Sequence, residues 1–184
     1  MKHLKEIFIS ALTLMLITVV VTAALSGTNA LTKGTIAKQV EEAETAARME
    51  VIEATDFVQD SVTVNGGEQI YYTAYADDTV VGYVFTTTAS GKSAGLTVMT
   101  GISKAGTITG VKVTDDNETA GYVEKVLKAG FLAAFTDMPA KELKVDVDVD
   151  AVSQATKTSG GICKAVNKAI AAYHAIKEGE ADGK

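Results

Sequence analysis

The stretch Gln69-Ile-Tyr-Tyr-Thr-Ala-Tyr75, then Ala76-Asp-Asp78, then Thr79-Val-Val-Gly-Tyr-Val-Phe-Thr-Thr87 places aromatic and β-branched residues on both sides of an acidic turn signal. Such side chains suit a pleated, half-buried surface, so this stretch predicts a β-hairpin. A second follows directly. Gly95-Leu-Thr-Val-Met-Thr-Gly-Ile102 and Thr107-Ile-Thr-Gly-Val-Lys-Val113 flank Ser103-Lys-Ala-Gly106, with glycine where a short loop needs one. Short strands joined by turns and followed by helical periodicity predict an α+β fold, an antiparallel sheet flanked by helices.

Upstream of the hairpins, Asp56 to Gly66 reads as a loop closed by the Asn65-Gly66-Gly67 turn signal. Downstream, Asp115-Asp-Asn117 leads into Glu118-Thr-Ala-Gly-Tyr122, after which Val123, Val126, Leu127, Phe131 and Phe135 recur at helical spacing. Glu118 and Thr119 then read as first-turn residues that complement the helix dipole. Val145, Val147 and Val149 alternate with Asp146, Asp148 and Asp150, the pattern of a strand with a solvated acidic face. An EF-hand would need a different spacing, a central Gly and a terminal Glu.

Period two gives way to period 3.6 over Gly161 to Ile176, so Asp150-Ala-Val-Ser-Gln-Ala-Thr-Lys-Thr-Ser159 is a strand-to-helix turn. Two uses suit it. Thr158 or Ser159 can cap the helix N-terminus. The outward N–H groups and positive dipole end also suit a phosphate.

No charged residue occurs from Ile7 to Thr32, enough for a helix across a bilayer, which needs roughly 20 residues. Lys2 and Lys5 precede it and Lys33 follows, a slight bias toward an N-terminus inside. A secretory signal peptide competes, with Thr28-Asn29-Ala30 as a cleavage-like site. The apolar run exceeds the usual core of up to about 15 residues, which favours a retained signal-anchor. Either reading exports the rest of the chain. Between Thr35 and Thr55, Ile36, Val40, Ala43, Ala47 and Val51 recur at helical spacing, consistent with a solvated helical stalk.

The 184 residues are 47% apolar with a net charge of −6, which suits one domain plus an appendage. No Lys/Arg cluster follows a groove-like pattern, so nucleic-acid binding is not expected. Cys163 is the only cysteine, and His3 and His174 lie at opposite ends. A disulfide, a four-cysteine cluster and a His/Cys metal site are therefore not expected. Redox chemistry, if any, needs an organic cofactor or one held by a partner.

The turn Asp150-Ala-Val-Ser153-Gln154-Ala155-Thr156-Lys157-Thr158-Ser159 resembles the flavinylation motif Asp-x-x-Ser/Thr-Gly-Ala-Thr-x-Thr/Ser-Ser. That motif marks the covalently flavinylated FMN-binding domain of the G subunit of the Rnf electron-transport complex, a domain shared with the C subunit of the sodium-pumping NADH:quinone reductase. The likeness extends to the apolar N-terminal helix with Asn29-Ala-Leu-Thr32, and to Gly91–Gly110. Glu118-Thr119-Ala120-Gly121 is similar to a Glu-Thr-Pro-Gly element of the flavin site. Gln154 stands where the family has Gly, and a position needing positive φ would tolerate Gln poorly. Ala120 replaces Pro and should loosen its loop.

The resemblance implies FMN joined by a phosphoester to Thr156, made from FAD by a separate flavin transferase after export. Thr156 is then a tether and not a catalytic nucleophile; no catalytic residue is expected. Ser153, Ala155, Thr158 and Ser159 would surround the attachment, and Glu118, Thr119 and Gly121 would line the ring. It further implies a single-pass subunit of an ion-translocating ferredoxin:NAD⁺ oxidoreductase, partnered by the other membrane subunits. The expected division is a cytoplasmic N-terminus at 1–6, a transmembrane helix at 7–27 and a connecting helix at 28–55. An extracytoplasmic FMN-binding domain at 56–178 and a tail at 179–184 complete it.

Overall fold

A computed structural model describes residues 2–93, 95–118 and 120–182. In chain order they form α1 (Lys2–Val51), β1 (Asp56–Val64), β2 (Gly67–Ala76), β3 (Thr79–Ala89), β4 (Leu96–Ser103), β5 (Ile108–Asp116), α2 (Tyr122–Lys128), a 3₁₀ turn (Phe131–Phe135) and α3 (Thr156–Asp182). The chain divides into two compact units, Met1–Glu44 and Thr45–Lys184.

The first unit is helical. It includes a stretch starting at Ile7 that is apolar and long enough to cross a membrane. Its large apolar side chains are exposed, 67% at both Ile7 and Leu25. The hydroxyls of Thr13, Thr18 and Thr28 donate to the carbonyls four residues earlier, at 2.8, 2.8 and 2.9 Å. These polar groups are thus satisfied within the helix, as a hydrocarbon environment requires.

The second unit is a five-stranded antiparallel meander in the order β1-β2-β3-β4-β5. Both expected hairpins are present, β2 with β3 across Asp77-Asp78 and β4 with β5 across Lys104–Gly106. The expected loop at 56–66 is instead strand β1, joined to β2 by Asn65 (φ 50°) and Gly66 (φ 79°). Positive φ at both central residues is what a tight hairpin reversal demands. β1 is an edge strand with most of its side chains exposed, so its sequence shows no apolar alternation.

One sheet face carries the main core. Phe85, Leu96, Val98 and Ile108 are fully buried against Ile162, Val166 and Ile170 of α3. Burying each such side chain contributes about 1.5–3 kcal/mol. The Thr87 hydroxyl, also buried, donates to the Ala165 carbonyl at 2.8 Å and fixes the helix on the sheet.

The other face is covered by the last turns of α1. Ala47, Arg48 and Val51 are buried there, so this part is no solvated stalk, and the helix ends at Val51 and not Thr55. Gly101 permits the approach, because a Cβ there would fall on the Val51 carbonyl. Thr109 Oγ1 donates to that carbonyl, and the Arg48 guanidinium lies 3.7 Å from the Tyr72 ring centre.

The single helix expected after Gly121 is split. α2 stops at Lys128, Gly130 turns at φ 70°, and Phe131–Phe135 continue as a 3₁₀ turn. Nor is 145–150 a strand. Val145 and Val149 bridge only each other around a turn in which Asp146 has φ 63°. Asp148 accepts the Lys144 N–H at 2.9 Å, and Asp146 accepts that of Ala151 at 3.1 Å. Aspartates that bond neighbouring backbone in this way compete with a ladder. The carboxyl of Asp148 is held below the usual range by that N–H and by Lys141 at 3.2 Å.

Candidate functional site

α3 opens at Thr156, five residues before the start that periodicity suggests, so Thr158 and Ser159 lie inside its first turns and do not cap it. The carbonyl accepting the Ser159 N–H, at 2.9 Å, belongs to Ala155. Buried Ser159 donates its hydroxyl to the same carbonyl and accepts the Val152 N–H, both at 3.2 Å, tying the preceding turn to the helix. Buried Thr158 donates to Glu118 Oε2 at 3.3 Å. Ser153 and Thr156 are exposed. Thr156 therefore presents the exposed hydroxyl of the helix's first turn, where backbone N–H groups have no intrahelical acceptor.

Gln154, in the turn before the helix, has φ 65°. This position does require the left-handed region, which costs a non-glycine residue about 1–2 kcal/mol. Its side-chain oxygen accepts from Lys125 Nζ at 3.1 Å, linking the turn to α2.

Glu118 precedes α2, whose N-cap is Gly121 at φ 84°, so it is not a first-turn residue. Its carboxylate accepts N–H groups from the β3–β4 loop: Gly91 at 3.1 Å, Lys92 at 3.2 Å and Ser93 at 3.2 Å. With Thr158 it gathers the loop, the segment before α2 and the start of α3 at one point. The loop lies directly on the helix. A Cβ on Gly161 would stand 2.7 Å from Gly91 Cα and 2.9 Å from Gly91 N.

A cavity of about 290 Å³ opens beside this junction, walled by Lys92, Tyr122 and the run 154–158. That is near the lower end of ordinary ligand clefts, about 300–1,000 Å³. Lys92 Nζ donates to the Tyr122 hydroxyl at 2.6 Å and stands 3.9 Å from its ring centre. That hydrogen bond, with the ammonium charge, lowers the Tyr122 phenol below its ordinary value. The exposed Thr156 hydroxyl, the N-terminus of a 27-residue helix and the cations of Lys92 and Lys157 thus share one cavity. This arrangement suits an anionic group esterified to the hydroxyl. A larger cavity of about 450 Å³ is lined by Glu50, Glu53 and Asp137, the wrong sign for a phosphate.

Of the residues expected from sequence, Ala155, Thr156 and Thr158 line the cavity. Ser153 sits exposed in the preceding turn, Ser159 is buried behind it, Glu118 acts as a brace and Gly121 starts α2. Thr119 lies outside the described residues. Lys92, Tyr122 and Lys125 are not singled out by spacing; the glycine-flanked lysine in Gly91-Lys-Ser-Ala-Gly95 is a signal for Lys92 alone.

Residues 91–171 match the family described as FMN-binding domain, and residues 1–51 match the RnfG N-terminal region. The chain is 31% identical over 197 aligned residues to the G subunit of the Na⁺-translocating ferredoxin:NAD⁺ oxidoreductase complex of Acetobacterium woodii, covering 95% of both chains. The chain belongs to the RnfG family. Among solved structures it resembles Shewanella oneidensis NqrC, with 22% identity and a TM-score of 0.47 over 56% of this chain and 55% of that one.

Membership in the RnfG family, with its FMN-binding domain, makes FMN the group to test against the cavity. The residues fit its phosphate end: an exposed hydroxyl, a helix N-terminus and Lys157 meet there.

Proposed function

We propose that this chain is a membrane-anchored flavoprotein subunit of an ion-translocating ferredoxin:NAD⁺ oxidoreductase complex, carrying FMN through a phosphoester on Thr156. The observation that supports the tether most is the division of hydroxyls at the start of α3. Thr158 and Ser159 are buried and bonded, whereas Thr156 is exposed on the cavity that holds Lys92 and Lys157. Family membership carries the class of protein; this division supports Thr156 as the attachment point.

In this reading a separate flavin transferase joins Thr156 Oγ1 to the FMN phosphorus of FAD. The pyrophosphate bond breaks, AMP leaves and the threonine proton is lost to solvent. The diester keeps one negative charge, which the helix N-terminus and Lys157 offset. When bound, the isoalloxazine supplies electron acceptance and donation; the chain supplies position and electrostatics. Glu118 contributes by holding the β3–β4 loop, and hence Lys92, against α3. The apolar helix at 7–27 holds the domain at the membrane, beside the other subunits. Lys2 and Lys5 favour a cytoplasmic N-terminus, which puts the FMN domain outside. A covalent link there prevents loss of the cofactor by dissociation.

The test is co-expression with a flavin transferase, denaturing electrophoresis and intact mass. Flavin fluorescence migrating with the chain, and its loss in Thr156→Ala, is the expected result. A chain of unmodified mass would leave an anchored module without flavin. Covalent flavin persisting in Thr156→Ala would move the tether elsewhere.

A further inference from the structure

Lys92 is placed unlike the other lysines at this junction. Its backbone N–H is clamped by Glu118, and its ammonium is anchored on Tyr122 by a 2.6 Å hydrogen bond and by the ring face at 3.9 Å. Both ends of the residue are therefore held, and both Lys92 and Tyr122 face the cavity containing Thr156. Lys125 is committed to Gln154 and stands farther from the same ring, at 5.6 Å. Lys157 neighbours the tether itself. An aromatic side chain carrying a fixed cation makes one wall, and the opening of α3 with Thr156 supplies another. A ligand tethered to that hydroxyl at its anionic end has its distal, planar part left to lie against Tyr122.

We propose that Lys92, held by Tyr122, is the positioning residue for the ring of the tethered flavin and raises its midpoint potential by offsetting the negative charge gained on reduction. The inference rests on the FMN–Thr156 reading and goes beyond it, since a tether needs no particular group at the ring. Two-electron, one-proton reduction adds one negative charge. A cation a few ångströms away stabilises that state over the neutral one, more so where the ring excludes water. Tyr122 acts through Lys92: its hydroxyl fixes where the ammonium stands.

The test uses the full chain, flavinylated in the membrane and purified in detergent, as wild type, Lys92→Met, Lys92→Arg and Tyr122→Phe. Covalent flavin per chain is measured first. Midpoint potentials follow by spectroelectrochemical titration, in which the electrode supplies two electrons and solvent one proton. Measured on the flavinylated fraction of each chain, Lys92→Met is expected to lower the reduced-to-oxidised ratio at a fixed potential about tenfold, about 30 mV for a two-electron couple. Lys92→Arg should restore most of it, and Tyr122→Phe should fall between. On the flavin-free Thr156→Ala chain, Lys92→Met should move the Tyr122 phenol titration upward, which shows that the pair exists without cofactor. A fully flavinylated Lys92→Met chain with an unchanged potential overturns the role of Lys92 and leaves the tether standing. Wild-type chain without covalent flavin overturns the tether and this inference with it.

Discussion

Replacing Glu118 by Gln keeps the size of the side chain and tests whether a carboxylate is what binds the β3–β4 loop to α3. In the wild type two oxygens serve four donors, the N–H groups of Gly91, Lys92 and Ser93 and the Thr158 hydroxyl, at 3.1–3.3 Å. An amide has one oxygen. Placed at Oε1 it still serves Gly91 and Ser93, but its NH₂ group then faces the Lys92 N–H, donor against donor. The Thr158 hydroxyl can rotate and accept. One backbone donor thus loses this acceptor, and the rest lose the charge that strengthens them. Hydrogen bonds to charged groups contribute about 1.5–3 kcal/mol net and neutral ones about 1, so the loop loses about 2 kcal/mol. At about 1.4 kcal/mol per tenfold, that raises its opening constant roughly 30-fold. Amide hydrogen exchange resolved at Gly91, Lys92 and Ser93 reads the change directly. Exchange at Val84 and Phe85, in the middle of β3, should not move. If the three loop amides exchange at the wild-type rate in Glu118→Gln, the brace is not electrostatic and the reasoning fails. Equal acceleration in β3 would instead mean that the whole domain was destabilised.

Three further outcomes follow from the packing. Burial, the Asp60 hydrogen bond and the Asp60 charge raise the Tyr71 phenol from 10 to about 12. Because the folded value lies above the unfolded one, its contribution is complete below pH 10 and disappears as pH rises to about 12; Tyr71→Phe should flatten this alkaline loss in thermal melts. Thr100 is fully buried, and its hydroxyl has no hydrogen-bond partner among the described residues. Thr100→Val should therefore stabilise the domain by about 1 kcal/mol in denaturant unfolding, and a loss of stability would show that the hydroxyl is satisfied. Gly161→Ala gains up to about 1 kcal/mol of helix propensity but forces a methyl onto the Gly91 backbone, an overpacking cost of about 1–3 kcal/mol. A net loss of about 1 kcal/mol with faster exchange at Gly91 is expected, and a more stable variant would argue against the loop–helix contact.

Much of the fold is legible in the sequence because hairpins announce themselves locally. Asp77-Asp78 and Lys104–Gly106 sit between runs whose side chains suit a half-buried pleat, and both hairpins are where those runs place them. β1 is illegible for the opposite reason. It pairs with β2 through its backbone and packs only Phe57, Val62 and Val64 on the core, too few and too unevenly spaced to read as a strand, while Asp56, Gln59, Asp60 and Ser61 face solvent as an edge strand allows. Alternation misleads at 145–150, where Val145 bridges Val149 within the same turn and the aspartates take the local N–H groups.

The site shows the same limit at finer scale. That position 154 needs positive φ is readable from the motif, and Gln154 has φ 65°. Spacing alone assigns capping to Thr158 and Ser159 and gives Thr156 no distinction from them. What separates the three hydroxyls is tertiary. Glu118, 40 residues from Thr158, takes that hydroxyl, and the Val152 N–H with the Ala155 carbonyl takes Ser159. Lys92 reaches the cavity only because Glu118 clamps a glycine loop onto α3, where Gly161 leaves no Cβ in the way. Each of these contacts joins segments distant in sequence, so no local period can encode them. On the proposed FMN–Thr156 tether, burial of Thr158 and Ser159 is what sets Thr156 apart. Glu118→Ala removes the acceptor of the Thr158 hydroxyl, so peptide mass mapping should then find some flavin on Thr158, and flavin confined to Thr156 would argue against this account.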